Sequence, residues 1–98
     1  MGKYLLLWEV DPTRTPEDTK ERGGAWELLM AMVKEDIKKG MVKEWGNFVG
    51  EINGYVVAEG SEVEIGNMVQ QYVPFVTFKV RAAASVSQVG EMIKAMQQ

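Results

Sequence analysis

The sequence predicts an α+β fold: a four-stranded antiparallel sheet, two helices on one of its faces, and a third helix at the C-terminus. Three observations carry this reading. Apolar residues alternate with period two in residues 3–10 and 75–81, they recur at three- and four-residue steps from Trp26 to Ile37, and Ser61 and Ser85 each open a capping-box pattern. A chain of 98 residues supplies one core, so residues 1–98 are read as a single domain.

The first strand, residues 3–10, sets Tyr4, Leu6, Trp8 and Val10 on one side and Leu5 and Leu7 on the other, and Asp11-Pro12 ends it. Thr15-Pro16-Glu17-Asp18 reads as a helix start, with a hydroxyl cap, a proline whose missing N–H costs nothing there, and carboxylates facing the helix dipole. Gly23-Gly24 predicts a break, because two glycines in a helix interior cost about 2 kcal/mol relative to alanines. The main helix is therefore expected over residues 25–39, with Trp26, Leu29, Met30, Val33 and Ile37 as its apolar stripe and Lys38-Lys39-Gly40 as its end. Residues 41–50 have strand character, Asn53-Gly54 predicts a type I′ hairpin turn, and residues 55–59 form the return strand. Ser61 with Glu64 opens a short helix reaching about Tyr72. In the last strand, residues 75–81, Val76, Phe78 and Val80 point one way and Phe75, Thr77, Lys79 and Arg81 the other. Ser85 with Gln88 opens the terminal helix, whose stripe is Val86, Val89, Ile93 and Met96.

Two split strand–helix–strand units of this kind interleave as a ferredoxin-like βαββαβ sandwich, here with an added C-terminal helix. One sheet face is left without cover, and it mixes Leu5, Leu7, Tyr55, Val57 and Phe75 with Glu9, Glu59, Thr77, Lys79 and Arg81. A second copy docked sheet to sheet, giving a homodimeric α+β barrel, would bury the apolar part and enclose the charged part in a shared cavity. The C-terminal helix is expected either to lie across this face or to support the dimer.

Composition excludes several functions. The chain has no Cys and no His, which removes disulfides, thiol and imidazole catalysis and the ordinary zinc, haem and blue-copper sites; no metal and no cofactor are expected. The absence of Cys fits a cytoplasmic location. The net charge is −3, and residues 43–64 carry five Glu against one Lys, so nucleic acid is not an expected partner. No apolar run approaches the roughly 20 residues of a membrane span, and neither a membrane partner nor a signal peptide is expected.

The runs Lys43-Glu44-Trp45-Gly46, Gly54-Tyr55-Val56-Val57-Ala58-Glu59-Gly60 and Gln71-Tyr72-Val73-Pro74-Phe75-Val76-Thr77-Phe78-Lys79-Val80 resemble small uncharacterised families of the dimeric α+β barrel, ferredoxin-like superfamily. The resemblance implies the barrel and the homodimer but brings no agreed activity, and the haem-dependent members of the superfamily rely on His, which is missing here. Three functions stay open: a small-molecule-binding barrel, a cofactor-independent isomerase or lyase, and a protein-interaction module. The catalytic candidates are Glu9 and Glu59 as general bases, with Lys79 and Arg81 holding an anionic group; the plainer account makes these four residues ion pairs at the barrel mouth or dimer seam. The ligand-binding candidates are Trp8, Trp45, Tyr55 and Phe75, with Trp26 and Phe48 nearby, although aromatic residues in so small a domain more often form core.

Overall fold

Residues 2–98 are described by the computed structural model. β1 (Gly2–Val10) lies between β3 (Asn53–Gly60) and β4 (Val76–Ala83), and β2 (Val42–Asn47) flanks β3, giving an antiparallel sheet of order β2-β3-β1-β4. α1 (Thr19–Lys38) connects β1 to β2 across β3, and α2 (Glu62–Gln70) connects β3 to β4 across β1; α3 (Val86–Met96) follows β4. The α+β class and the order of strands and helices agree with the sequence reading.

The register explains the core. Leu6 stands opposite Val56 and Val80, and Trp8 opposite Gly54 and Phe78, so the even-numbered residues of β1 share one face with Val56, Ala58 and Val76. Val33 of α1 and Ile65 and Met68 of α2 cover that face, and Leu6 at their centre is 0% exposed. Burying such a side chain contributes about 1.5–3 kcal/mol. Among the described residues no helix covers the other face of β1: Leu5 is 37% and Leu7 40% exposed.

Two local expectations are corrected. α1 starts at Thr19, where the Asp18 carboxylate accepts the Glu21 N–H at 3.0 Å, and it runs unbroken for 20 residues through Gly23-Gly24. The partly buried residues Trp26, Leu29 and Met30 anchor the helix just beyond the glycines, and this packing outweighs their propensity cost. The stretch before it forms a 3-10 turn at Pro12–Arg14 capped by Asp11, whose carboxylate accepts from the Thr13 N–H at 2.9 Å and the Thr13 hydroxyl at 2.7 Å. Those bonds hold the Asp11 carboxyl below the usual carboxylate range.

The second correction concerns the hairpin. The chain reverses at Phe48–Glu51, where the Glu51 N–H donates to the Phe48 carbonyl at 3.0 Å and Gly50 takes a φ of +83°. Asn53-Gly54 belongs to β3 instead. Gly54 is needed there for a different reason, since a Cβ on it would collide with the Gly46 carbonyl oxygen of β2 and come within 2.6 Å of the Trp8 indole.

Both capping boxes form. Ser61 Oγ accepts the Glu64 N–H at 3.1 Å while Glu64 Oε1 accepts the Ser61 N–H at 2.9 Å; Ser85 and Gln88 make the same exchange at 3.2 and 2.8 Å. The Ser61 backbone N–H holds the Glu64 carboxyl below its usual range. Beyond Ala83 the chain leaves the body. The molecule measures 61 × 25 × 20 Å with a radius of gyration of 16.3 Å, against about 13 Å for a compact chain of this size. No residue of α3 is buried.

Candidate functional site

The helix-covered side of the sheet holds an aromatic chamber. Trp8 and Trp45 project from β1 and β2 and stack with ring centroids 5.3 Å apart and planes 11° apart, and Trp26 of α1 meets the Trp8 ring edge-on at 6.1 Å. Tyr72, just past α2, meets Phe78 of β4 edge-on at 5.8 Å. These rings surround a cavity of about 40 Å³. The Trp8 Nε1–H is buried and bonded to no protein group.

One charged group reaches this chamber. Asp36 of α1 is 4% exposed; its carboxylate accepts from the Tyr72 hydroxyl at 2.7 Å and from Gln71 Nε2 at 3.4 Å. Burial, reinforced by the bond to Asp36, pushes the Tyr72 hydroxyl well above the ordinary tyrosine range, so it remains a donor throughout the physiological range. The pair ties the last turns of α1 to the end of α2.

Trp26, Leu29, Val10 and Tyr72 also form the inner wall of a wider cleft of about 290 Å³, completed by Leu28, Met32 and Phe75. Its mouth carries Arg14, Arg22 and Gln71 and no carboxylate. Arg22 is fixed there by donating to the Glu17 carbonyl at 3.0 Å, and Arg14 is held 3.5 Å from Asp11, the one ion pair among the described residues. The cleft is thus apolar within, and its rim carries the Arg22 guanidinium beside an Arg14 already paired with Asp11.

The open sheet face contains a second depression, of about 320 Å³, where Glu9 and Lys79 lie with Leu7, Thr77, Phe48 and Asn53. Asn53 Oδ1 is buried there without a protein partner. Tyr55, also on this face, donates its hydroxyl to Glu44 Oε1 at 2.9 Å and stacks on Phe48 at 6.1 Å. The Glu44 bond raises the Tyr55 hydroxyl above its ordinary value.

Of the four candidate acid–base residues, only Glu9 and Lys79 share a hollow. Glu59 stands opposite Lys3 near the far end of β1, and Arg81 stands opposite Leu5, with β1 between β3 and β4. Trp8 and Trp45 line the helix-side chamber and Tyr55 lies on the open face. Phe75, expected on the open face, precedes β4 and lines the cleft against α1, because the strand's alternation begins only at Val76.

Sequence reasoning missed Asp36, Gln71 and Tyr72. The signal for Asp36 is present in the spacing, since it lies three residues beyond Val33 and seven beyond Leu29, on the buried face; its charge argues for solvent, and its apolar neighbour Ile37, expected in the stripe, is the exposed one. Among the described residues no helix is long and apolar enough to cross a membrane. No family model matches the chain, and no curated protein matches it.

Proposed function

We propose that the chain is a ferredoxin-like sandwich that pairs through its open sheet face into a homodimeric α+β barrel, and that each copy binds a small organic ligand in the cleft between α1 and Phe75. The strand order supports the fold reading, because two interleaved strand–helix–strand units with each crossover passing over one strand produce this order. Leu5, Leu7 and Val57 on the open face support the pairing, as does the lack of any ion-pair partner for Glu9, Glu59, Lys79 and Arg81 among the described residues.

The observation that carries the ligand reading is the cleft itself. It is apolar, walled by Trp26 and Phe75, and rimmed by two arginines, which suits a molecule with a flat apolar body and an anionic group. Titration with an anilinonaphthalene sulfonate, followed by its fluorescence, tests this. The expected result is one saturable site per chain, with Trp26→Ala or Phe75→Ala raising Kd at least about tenfold and Leu7→Arg on the open face leaving it unchanged. Equal binding by all of these variants would contradict it.

A further inference from the structure

The two ends of the cleft along α1 differ in chemistry. Arg22 and Met32 both line it and lie ten residues apart on the helix, so it runs about 15 Å along the helix axis. At the Arg22 end the guanidinium donates to the Glu17 carbonyl at 3.0 Å and to the Pro16 carbonyl and Thr19 hydroxyl, each at 3.4 Å. All three acceptors are neutral, and no carboxylate among the described residues pairs with Arg22. That end therefore offers a positive charge fixed in place and lacking a counter-ion.

Asp36 sets the chemistry of the other end. It lies one turn beyond Met32 on α1, with its carboxylate buried; one oxygen takes the Tyr72 hydroxyl at 2.7 Å and the other takes Gln71 Nε2 at 3.4 Å. A carboxylate accepts hydrogen bonds and donates none, so it fixes which way the Gln71 amide faces: Nε2 turns to Asp36 and Oε1 lies on the opposite side of the amide. Gln71 is exposed and lines the cleft, and no donor among the described residues bonds to its Oε1. The end opposite Arg22 thus presents an acceptor rather than a donor.

We infer that the cleft selects a flat aromatic acid carrying a hydroxyl at the end opposite its anionic group, with the acid at Arg22, the rings between Trp26 and Phe75, and the hydroxyl donating to Gln71 Oε1. This rests on the ligand reading proposed above and adds the ligand's orientation and the polarity of its far end. Two fused rings with a polar group at each end, and a hydrogen bond beyond each, cover about the 15 Å available. An ether oxygen in place of the hydroxyl would bring two acceptors together, which works against that ligand. Asp36 is a positioning residue in this scheme, deciding which atom of Gln71 meets the ligand.

The test is calorimetric titration of the full-length chain with three probes: 6-hydroxy-2-naphthoate, 2-naphthoate and 6-methoxy-2-naphthoate. In the wild type the hydroxyl is expected to lower Kd about three- to tenfold relative to 2-naphthoate, the net worth of one hydrogen bond, and the methoxy compound to gain nothing. In Gln71→Leu the ratio of the hydroxy and unsubstituted Kd values should fall to about one. Gln71 is exposed and this change leaves the Tyr72–Asp36 bond in place, so the variant keeps its fold. Arg22→Gln should weaken all three acids by a similar factor, because the anionic group is common to them. Asp36→Asn, able to donate as well as accept, releases the Gln71 amide to turn, and the preference for hydroxyl over methoxy should narrow; an unchanged ratio there overturns the positioning role. Three equal Kd values in the wild type overturn the acceptor end while leaving the ligand reading intact. No binding by any of the three overturns both.

Discussion

The two faces of β1 both carry apolar side chains, Tyr4, Leu6, Trp8 and Val10 on one and Leu5 and Leu7 on the other, and they meet opposite fates. Leu6, Trp8 and Val10 are enclosed by α1 and α2, whereas Leu5 and Leu7, one residue out of phase, face outward among Glu9, Lys79 and Arg81. Neighbouring residues on one strand thus differ in what completes them. The helix side is finished by the chain itself, through Val33, Ile65, Met68 and the Asp36–Tyr72 bond; the open side leaves Leu5 and Leu7 at the surface, where the pairing proposed above would cover them.

Substitutions on either face sharpen that contrast. The largest effect is expected from Leu6→Ala, which removes a fully enclosed side chain and should cost about 2–5 kcal/mol in denaturant unfolding. Leu7→Ala, by contrast, should cost the isolated chain about 1 kcal/mol or less and act mainly on association; equal losses at both positions would dissolve the distinction between the faces. Gly54→Ala drives a methyl group into the Gly46 carbonyl oxygen as well as the Trp8 indole, and its expected cost is about 1–3 kcal/mol in the same assay.

Tyr72→Phe leaves the Asp36 carboxylate with Gln71 alone at 3.4 Å, at an expected cost of about 1–3 kcal/mol. The same variant should delete the last tyrosine to ionise in an ultraviolet pH titration. Because the Tyr72 pKa is raised on folding, its contribution is complete below the unfolded tyrosine value of about 10 and is lost as pH rises through the folded value.

The smallest effect concerns the start of α2. The Glu64 pKa is depressed on folding, so its contribution is complete above the ordinary glutamate value of about 4.3 and is lost as pH falls through the folded value. Glu64→Gln keeps the bond to the Ser61 N–H without titrating, and its melting temperature should therefore decline less than the wild type's on acidification.

Much of this contrast was legible in the sequence, and its failures share a cause. Alternation in β1 and the serines at 61 and 85 are local signals read by local rules, and they matched the structure; in β4 the alternation holds for Val76 and Phe78, while Val80 is exposed and Phe75 lies before the strand. Gly23-Gly24 and Asn53-Gly54 misled because tertiary demands overrode the local preference: packing of Trp26 and Leu29 carries the helix past one pair, and close approach to Trp8 claims Gly54 from the other. Asp36 was hidden because a carboxylate on an apolar stripe becomes sensible only once the Tyr72 hydroxyl, 36 residues away in sequence, is seen to reach it. The cleft likewise joins Arg14, Trp26 and Phe75 from three separate segments, and no spacing rule connects them.

The measurement that bears most directly on the difference between the two faces is the solution mass of the wild-type chain across about a hundredfold range of concentration. A species of twice the 11.0 kDa chain mass, dissociating on dilution and reduced to a monomer by Leu7→Arg, is the predicted result. A chain that remains at 11.0 kDa throughout, with Leu7→Arg indistinguishable from it, would mean that Leu5, Leu7 and Val57 face water and that the open side needs no second copy.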